Sequence, residues 1–251
     1  GFTSAPVLGS FAVGIVCLAA YIKRQLSIKV PVLDLHVFTY QGYRVGVMCL
    51  MLNFGITLAA MYVLPQFYQN AMLIAVAAAG VLMLPGGLIN AAVSVAAGTL
   101  FDRFGARGPV SIGFACSALA SAMLMIATPE TPIWYMVACH IIMMIGEPLA
   151  MSPCQTHALA SIPPQLNSDG STIMNTLQQV LGAICTAVAT CLLAAGQNTY
   201  FAAGGTDSAL AFTEGSHIGF AFTLIMAVLG FFLAFRINLQ KEQSAQKEGS
   251  V

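Results

Sequence analysis

The sequence predicts an all-α protein, a polytopic bundle of transmembrane helices. Hydrophobic residues make up 58% of the chain and charged residues only 7%, whereas a soluble domain carries roughly 25% charged residues. No residue between Arg44 and Asp102 is charged, and there is no lysine or arginine between Arg107 and Arg236. Since about 20 apolar residues cross a bilayer as a helix, the first of these runs alone must contain at least two spans.

Polar, proline-rich and charged segments divide the chain into seven predicted spans. They lie at about residues 4–22, 44–66, 71–100, 109–127, 133–159, 171–195 and 217–235. Residues 32–38, before the second span, are expected to form a short interfacial helix. Two prolines should bend the fifth span, and Ser168 or Asp169 should cap the sixth. Residues 196–216 are then the longest external loop.

All the basic residues fall on one side of the membrane when these spans alternate in direction. They are Lys23, Arg24, Lys29, Arg44, Arg103, Arg107, Arg236, Lys241 and Lys247. Basic residues collect in cytoplasmic loops. The sequence therefore predicts a multi-pass protein of the cell (plasma) membrane, with the N-terminus of this chain external and the C-terminus cytoplasmic. Because the chain starts at Gly1 and not at a methionine, we expect it to be a fragment that lacks an N-terminal part.

The predicted spans also suggest an internal symmetry. Spans two to four and five to seven form two groups of three that cross the membrane in opposite directions, which is the layout of a 3+3 inverted repeat. We therefore divide the chain into four parts: an extra span at 1–22, a cytoplasmic linker with the interfacial helix at 23–43, a six-span domain at 44–235 and a cytoplasmic tail at 236–251.

The strongest motif lies on the cytoplasmic side between the third and fourth spans, and reads Gly98-Thr-Leu-Phe-Asp102-Arg103-Phe-Gly105-Ala-Arg107. Gly98 can let two helices approach closely, and Asp102 can accept hydrogen bonds from a helix N-terminus. Arg103 and Arg107 can pair with carboxylates or lipid headgroups, and Gly105 permits a sharp turn. A simpler interpretation is a motif that only closes a hairpin. The spacing resembles the loop signature of the major facilitator superfamily, Gly-x-Leu-x-Asp-Arg-x-Gly-x-basic, which implies a cytoplasmic gate.

Three further segments are similar to the EmrB/QacA-type drug:proton antiporters of that superfamily. They are Pro31–Phe38, the hairpin of Leu64–Asn70 with Ala79–Gly87, and Asn175–Gly182. These antiporters have fourteen spans. The resemblance covers about residues 30–235 and implies that the chain is the second of two extra spans followed by the C-terminal six. It further implies four partners: a missing N-terminal six-span half, protons, membrane lipid and a drug-like small molecule.

Polar residues inside the spans are the candidate proton-coupling and substrate sites, because such groups are costly in a bilayer and mark function. Glu147 is the only acidic residue inside a predicted span away from its ends, and His140 lies two turns before it on the same face. By the resemblance, Asn53 and Gln179 lie on spans that line the central cavity. For each of these residues, the alternative role is a structural hydrogen bond within the bundle. We assign Asn90 to helix packing.

Other classes of protein find less support in the sequence. The segment Asp102-Arg103-Phe104 after the third of seven spans also resembles a G-protein-coupled receptor. However, residues 217–235 contain neither an Asn-Pro-x-x-Tyr motif nor the lysine that a retinal protein requires. The sequence shows no phosphate loop, nucleophile triad or metal-ligand spacing, so we expect no enzyme, no cofactor and no metal site. It has no cluster of basic residues of the kind that binds nucleic acid.

The sequence thus predicts part of a proton-coupled multidrug efflux antiporter. Such a protein is a secondary active transporter that exports lipophilic or cationic compounds by alternating access. The main alternative is a major facilitator transporter for another small solute, such as a siderophore, an amino acid or a sugar, because the fold alone does not fix the substrate.

Overall fold

The computed structural model describes residues 5–27 and 33–237, so most of the predicted tail, residues 238–251, lies outside the described residues. Within the described ranges the chain forms seven α-helices and no β-strand, which confirms the all-α prediction. The helices are α1 (Ala5–Ser27), α2 (Gln41–Asn70), α3 (Val76–Phe104), α4 (Arg107–Leu124), α5 (Ile133–Ala160), α6 (Asn167–Ala202) and α7 (Ser208–Ala234). Two 3₁₀ helices, Leu35–Thr39 and Pro164–Leu166, precede α2 and α6.

Several of these helices can cross a membrane. Among the described residues, five meet this condition by length and composition alone: α2, α3, α5, α6 with its preceding 3₁₀ turn, and α7. The helix α1 is not one of the five, so the extra span at 1–22 stays a prediction. The helix α4 is not one of the five either. It has only 18 residues and begins at Arg107. It packs between α5 and α7, which keeps it inside the bundle.

Helices α3 and α5 run parallel to each other. The imidazole of His140 on α5 fills the space beside Gly86 on α3, where an added Cβ would collide with the ring. One turn further along α3, the Asn90 side-chain amide donates to the main-chain oxygen of Met144 at 3.2 Å. The contacts therefore advance in the same direction on both helices.

Helices α2 and α6 form a second parallel pair. The Tyr43 hydroxyl donates to the main-chain oxygen of Gly170 at 2.8 Å, and further along, Gly55 lies against Cys185. In a 3+3 repeat, the helices α2, α3 and α4 correspond to α5, α6 and α7. Under this correspondence the parallel pair α3 and α5 is equivalent to the parallel pair α6 and α2. This is the relationship that an inverted repeat requires, and it confirms the predicted 3+3 arrangement.

The buried apolar side chains form two clusters, one at each end of the bundle. The first cluster includes Tyr43 and, on α5, residues from Ala150 onward. The second includes Phe67 and, on α5, residues up to Met144. Glu147 lies between the two clusters, near the middle of the bundle. The described arginines from the start of α2 onward all lie at the end of the first cluster, as the alternating spans predict: Arg44, Arg103, Arg107 and, just after α7, Arg236.

The predicted external loop at 196–216 is wrong. The helix α6 continues to Ala202 and α7 already begins at Ser208. Asp207 caps α7, since its Oδ1 accepts the main-chain N–H of Ala209 at 2.7 Å. The polar residues thus continue the helices beyond the bilayer core, because the 36 residues of α6 span about 54 Å and that core is about 30 Å thick.

The predicted interfacial helix is a 3₁₀ helix, Leu35–Thr39, and residue 32, where the prediction placed its start, lies outside the described residues. The 3₁₀ helix is attached to the start of α6, because the main-chain N–H of Asp34 donates to Asp169 Oδ2 at 3.1 Å. Neither Ser168 nor Asp169 caps α6, contrary to the prediction, since the helix begins one residue earlier, at Asn167, with no side-chain cap.

Hydrogen bonds from His36 organise the turn that leads into α2. Its main-chain N–H donates to Asp34 Oδ1 at 2.9 Å, and its ring Nδ1 lies 2.6 Å from the same oxygen. These two contacts lower the pKa of the Asp34 carboxyl below its ordinary value, and the hydrogen bond from the main chain has the larger effect. Nearby, the ring of Phe38 packs edge-on against Tyr43. The described end of the linker is therefore a folded part of the bundle.

Candidate functional site

Three helices meet at Glu147. Its Oε2 accepts a hydrogen bond from Asn90 Nδ2 of α3 at 2.8 Å. Its main-chain oxygen accepts one from Asn53 Nδ2 of α2 at 3.1 Å. Asn53 is 1% exposed, and its Oδ1 has no hydrogen-bond partner among the described residues. The structure therefore brings together two of the predicted site residues, Glu147 and Asn53, and adds Asn90.

His140 lies two turns from Glu147 on the same face of α5 and is 2% exposed. Neither ring nitrogen has a hydrogen-bond partner within the described part of the chain. A buried polar group without a partner is costly. In a membrane bundle such a group is a candidate for binding a polar atom of a ligand. The His140 ring and the Glu147 carboxyl lie in the same contact between α3 and α5. The ring packs on Gly86 and the carboxyl bonds to Asn90, which is one turn further along α3.

Asn90 is a site residue that the sequence analysis assigned to packing. Its amide is the only described side chain that donates to the Glu147 carboxylate. The available signal was an uncharged polar residue in the middle of an apolar span, which by itself marks a candidate site. What could not be read from the sequence was that the amide and the carboxyl, 57 positions apart, face each other.

The structure does not bring Gln179 to this cluster. Gln179 is exposed, whereas its neighbour Gln178 is buried with no described partner for Nε2. The helix α6 turns toward α2 at Gly182, where an added Cβ would meet the side chain of Phe54. Gln178 lies one turn before Gly182 on that face, and Gln179 lies about 100° further round. Gln179 therefore faces away from the bundle.

Gly105 and Arg107 shape the turn of the Gly98–Arg107 motif. Gly105 ends α3 with a φ of 70°, a conformation that favours glycine. Arg107 begins α4, and its guanidinium lies 4.9 Å from the ring centroid of Phe235 at the end of α7, a cation–π contact. These two residues act as the sequence predicts for a tight turn.

Asp102, Arg103 and Gly98 lack the neighbours that the motif predicts among the described residues. Asp102 and Arg103 are exposed and make no hydrogen bond or ion pair to another described residue. The expected close approach of a helix at Gly98 is absent as well, since an added Cβ would meet no described atom within 4 Å. Gly98 lies on the side of α3 that no other described helix covers.

The helices α3 and α6 carry the open faces of the bundle. Only 11% of the most apolar stretch of α3 and 28% of the most apolar stretch of α6 are buried in the bundle, against 56% for α2. Before Asp102, the exposed large side chains of α3 are apolar, and include Val81, Leu84, Leu88 and Val95.

Residues 5–187 match the Major Facilitator Superfamily, which covers well over half of the chain. The chain belongs to the Major Facilitator Superfamily.

Several relatives of the chain are named as drug resistance or drug export proteins. "Lincomycin resistance protein LmrB" of Listeria monocytogenes is 38% identical over 245 residues, which are 96% of this chain and 52% of that protein. The protein of the same name from Bacillus subtilis is 35% identical over 240 residues, 94% of this chain and 50% of that protein. "Multidrug export protein EmrB" of Haemophilus influenzae is 24% identical over 190 residues, 75% of this chain and 37% of that protein. The chain thus spans about half the length of the two LmrB relatives.

Membership in the superfamily confirms the family that the Gly98–Arg107 motif indicated. Major facilitator proteins are in general carriers and not enzymes. The receptor alternative is therefore wrong.

Proposed function

We propose that this chain is the C-terminal six-span half, with one preceding span, of a proton-coupled multidrug efflux antiporter. The observation that carries the proposal is the Glu147 carboxyl near the middle of the bundle. Asn90 of α3 donates to this carboxyl, and Asn53 of α2 donates to the main-chain oxygen of the same residue. A carboxyl that can gain and lose a proton in the middle of a membrane protein suits proton coupling. The names of the relatives, lincomycin resistance and multidrug export, support efflux of drug-like compounds.

In this mechanism Glu147 binds a proton in one facing state and releases it in the other. A lipophilic cation can also be attracted by the carboxylate, so that proton and substrate compete for one group. The orphaned ring nitrogens of His140 and the Oδ1 of Asn53 provide further polar atoms for substrate or proton. Lipophilic or cationic compounds fit best, since the neighbouring buried residues are apolar and include Met143 and Met144, whose flexible side chains adapt to varied shapes.

An N-terminal six-span half is the partner that this mechanism needs. Alternating access moves one bundle against another around a midplane site. The open faces of α3 and α6 are the surfaces where such a half would pack. The length of the LmrB relatives, about twice this chain, supports the same division.

We place the arginine-rich end of the bundle, the linker and the tail in the cytoplasm of the cell, with membrane lipid around the remaining surface. This follows from the preference of basic residues for cytoplasmic loops. A single cysteine introduced at position 105 should resist labelling from outside the cell, and one introduced at position 205 should react. The opposite pattern would reverse the orientation.

The alternative substrate class is another small solute, such as a siderophore, an amino acid or a sugar. A sugar or amino acid site needs several polar groups aimed at the ligand. Gln179, the remaining predicted site residue, lies on the open side of α6. In a sugar or amino acid transporter it would bind the solute, and in a drug antiporter it would line the cavity.

Reconstituted efflux tests the function directly. A full-length transporter that contains this chain, placed in liposomes, should move a fluorescent lipophilic cation against its gradient when a proton gradient is imposed. Dissipating the proton gradient should stop the movement. Uptake of a sugar or an amino acid without drug movement would favour the alternative, and drug movement that ignores the proton gradient would contradict proton coupling.

The exposed Asp102 and Arg103 are proposed to form the cytoplasmic gate together with groups of the other half, with Gly98, Gly105 and Arg107 shaping the motif. Asp102→Asn in the full-length transporter should lower turnover more than substrate affinity, because a gate biases a conformational equilibrium. Steady-state transport and substrate binding, measured at equal expression, check this. Unchanged turnover would mean that the motif only closes the turn between α3 and α4 and has no role as a gate.

A further inference from the structure

The central helix of the bundle contains a proline beside its acidic residue. Pro148 has no main-chain N–H, so it cannot donate the helical hydrogen bond to the oxygen of Met144, four residues earlier. The helix α5 is nevertheless continuous from Ile133 to Ala160. The oxygen of Met144 therefore requires a donor from elsewhere.

Asn90 supplies that donor and holds the carboxylate with the same nitrogen. Its Nδ2 lies 3.2 Å from the Met144 main-chain oxygen and 2.8 Å from Glu147 Oε2. A side-chain amide nitrogen carries two protons, so both bonds can form at once. Gly86, one turn earlier on α3, makes this possible, because the absence of a Cβ there lets α3 approach the His140 ring on α5.

We propose that Asn90 is the positioning residue of the Glu147 site, and that its amide links the charge on Glu147 to the main-chain oxygen that Pro148 leaves without a helical donor. The proposal rests on the proposed function for the meaning of that charge, and adds a residue and a mechanical connection to it. Asn90 acts on the proton only through the Glu147 carboxyl.

The link depends on the protonation state of Glu147. A hydrogen bond to a carboxylate is roughly twice as strong as one to a neutral acceptor. When Glu147 takes up a proton, its bond with Asn90 weakens while the bond to Met144 remains. The amide is then free to follow Met144, and the backbone around Pro148 gains freedom to bend. Proton uptake at Glu147 thereby changes the freedom of the α5 backbone. The helix α5 is one of those that would have to move in alternating access.

Few other titratable groups face this part of α5. The helix α3 has none between its start at Val76 and Phe101. The nearest others among the described residues are His140 on α5 itself, Cys116 on α4 beside Gly146, and Cys49 on α2 beside Cys154. His140 and His157, which can carry a positive charge, lie about two and three turns from Glu147 along α5, on opposite sides of it. A change in titration on removal of Asn90 is therefore a change at Glu147.

Infrared spectroscopy of the full 251-residue chain in lipid nanodiscs tests the link without measuring transport. The carboxyl band of Glu147 is identified by its loss in Glu147→Gln, and its intensity is followed against pH. Asn90→Leu, which has similar volume and no donor, should move the midpoint upward by about one pH unit, since a hydrogen bond to a charged group is worth about that much. Ser94→Ala, an exposed position one turn along α3 whose hydroxyl bonds the Asn90 main-chain oxygen, should leave it unchanged.

A second variant separates the two bonds. Pro148→Ala restores a main-chain N–H for Met144, so the double variant Asn90→Leu with Pro148→Ala lacks only the carboxylate bond and should fold even if Asn90→Leu does not. The same upward shift in the double variant supports the proposal, and an unmoved midpoint overturns it. His140→Asn should leave the shift intact, and loss of the shift there would assign it to the histidine. If the midpoint moves as expected but Glu147→Gln still supports normal proton-coupled transport, the positioning role stands and the proposed function fails.

Discussion

Glu147→Gln in a full-length transporter is expected to abolish proton-coupled efflux while the protein remains folded. Glutamine has nearly the same shape, and its side-chain oxygen can still accept the 2.8 Å hydrogen bond from Asn90. It has no ionisable group, whereas a carboxyl can take up and release a proton, in an ordinary environment at about pH 4. Efflux of a lipophilic cation against its gradient, driven by an imposed proton gradient, measures the effect.

The matched control for this prediction is Glu214→Gln. Glu214 is exposed in the second turn of α7, at the end of the bundle away from the arginines. The same chemical change there should leave efflux at the wild-type level. Glu147→Asp, which keeps the carboxyl but shortens its reach toward Asn90, should give partial activity. Wild-type efflux by Glu147→Gln at equal expression would make Glu147 a structural residue.

Gly146→Val is expected to prevent normal folding of the bundle. Helices α4 and α5 touch there through their backbones, because a Cβ on Gly146 would lie 2.5 Å from the Gly113 main-chain oxygen and 2.9 Å from Ser117 Oγ. A main-chain oxygen cannot rotate away, so the helices must separate. Overpacking in a well-packed core costs about 1–3 kcal/mol, and here it acts on two helices at once. The loss should appear as aggregation on size-exclusion chromatography, or as a lower thermal unfolding midpoint.

Gly87→Ala is the matched control for the glycine contact. Gly87 also lies in the middle of a helix, α3, but an added Cβ there meets no described atom within 4 Å. Alanine favours a helix over glycine by about 1 kcal/mol, so the midpoint should stay the same or rise. Equal midpoints for Gly146→Val and the wild type would mean that α4 and α5 lie further apart than in this structure.

Element positions were largely predictable because charge and proline mark the ends of apolar spans. The fifth span, predicted at 133–159, is the helix Ile133–Ala160, since Pro132 and the polar segment after Ala160 interrupt the pattern. Gly105 was predictable as a turn because few other residues adopt a positive φ. The extension of α6 and α7 was not predictable, because polar residues in a helix beyond the bilayer look like a loop by composition alone.

The rotation of each helix, and with it half of the site, could not be derived from the sequence. A helix that is apolar all round carries no periodic signal for its buried face. Gln178 and Gln179 are therefore equivalent in the sequence, and only the packing of Gly182 against Phe54 decides that Gln178 is buried. The same lack of signal hid the pairing of Asn90 with Glu147. That pairing depends on the register that Gly86 sets between α3 and α5.

Proton release on substrate binding tests the central claim most directly. The full-length transporter in detergent, in weakly buffered solution near neutral pH, is mixed with a cationic drug while a pH indicator is followed. If Glu147 exchanges its proton for substrate, the wild type releases protons on addition of the drug, and Glu147→Gln releases none while Glu214→Gln behaves as the wild type. Equal release from Glu147→Gln and the wild type would contradict the account and place the coupling group outside this chain's central site.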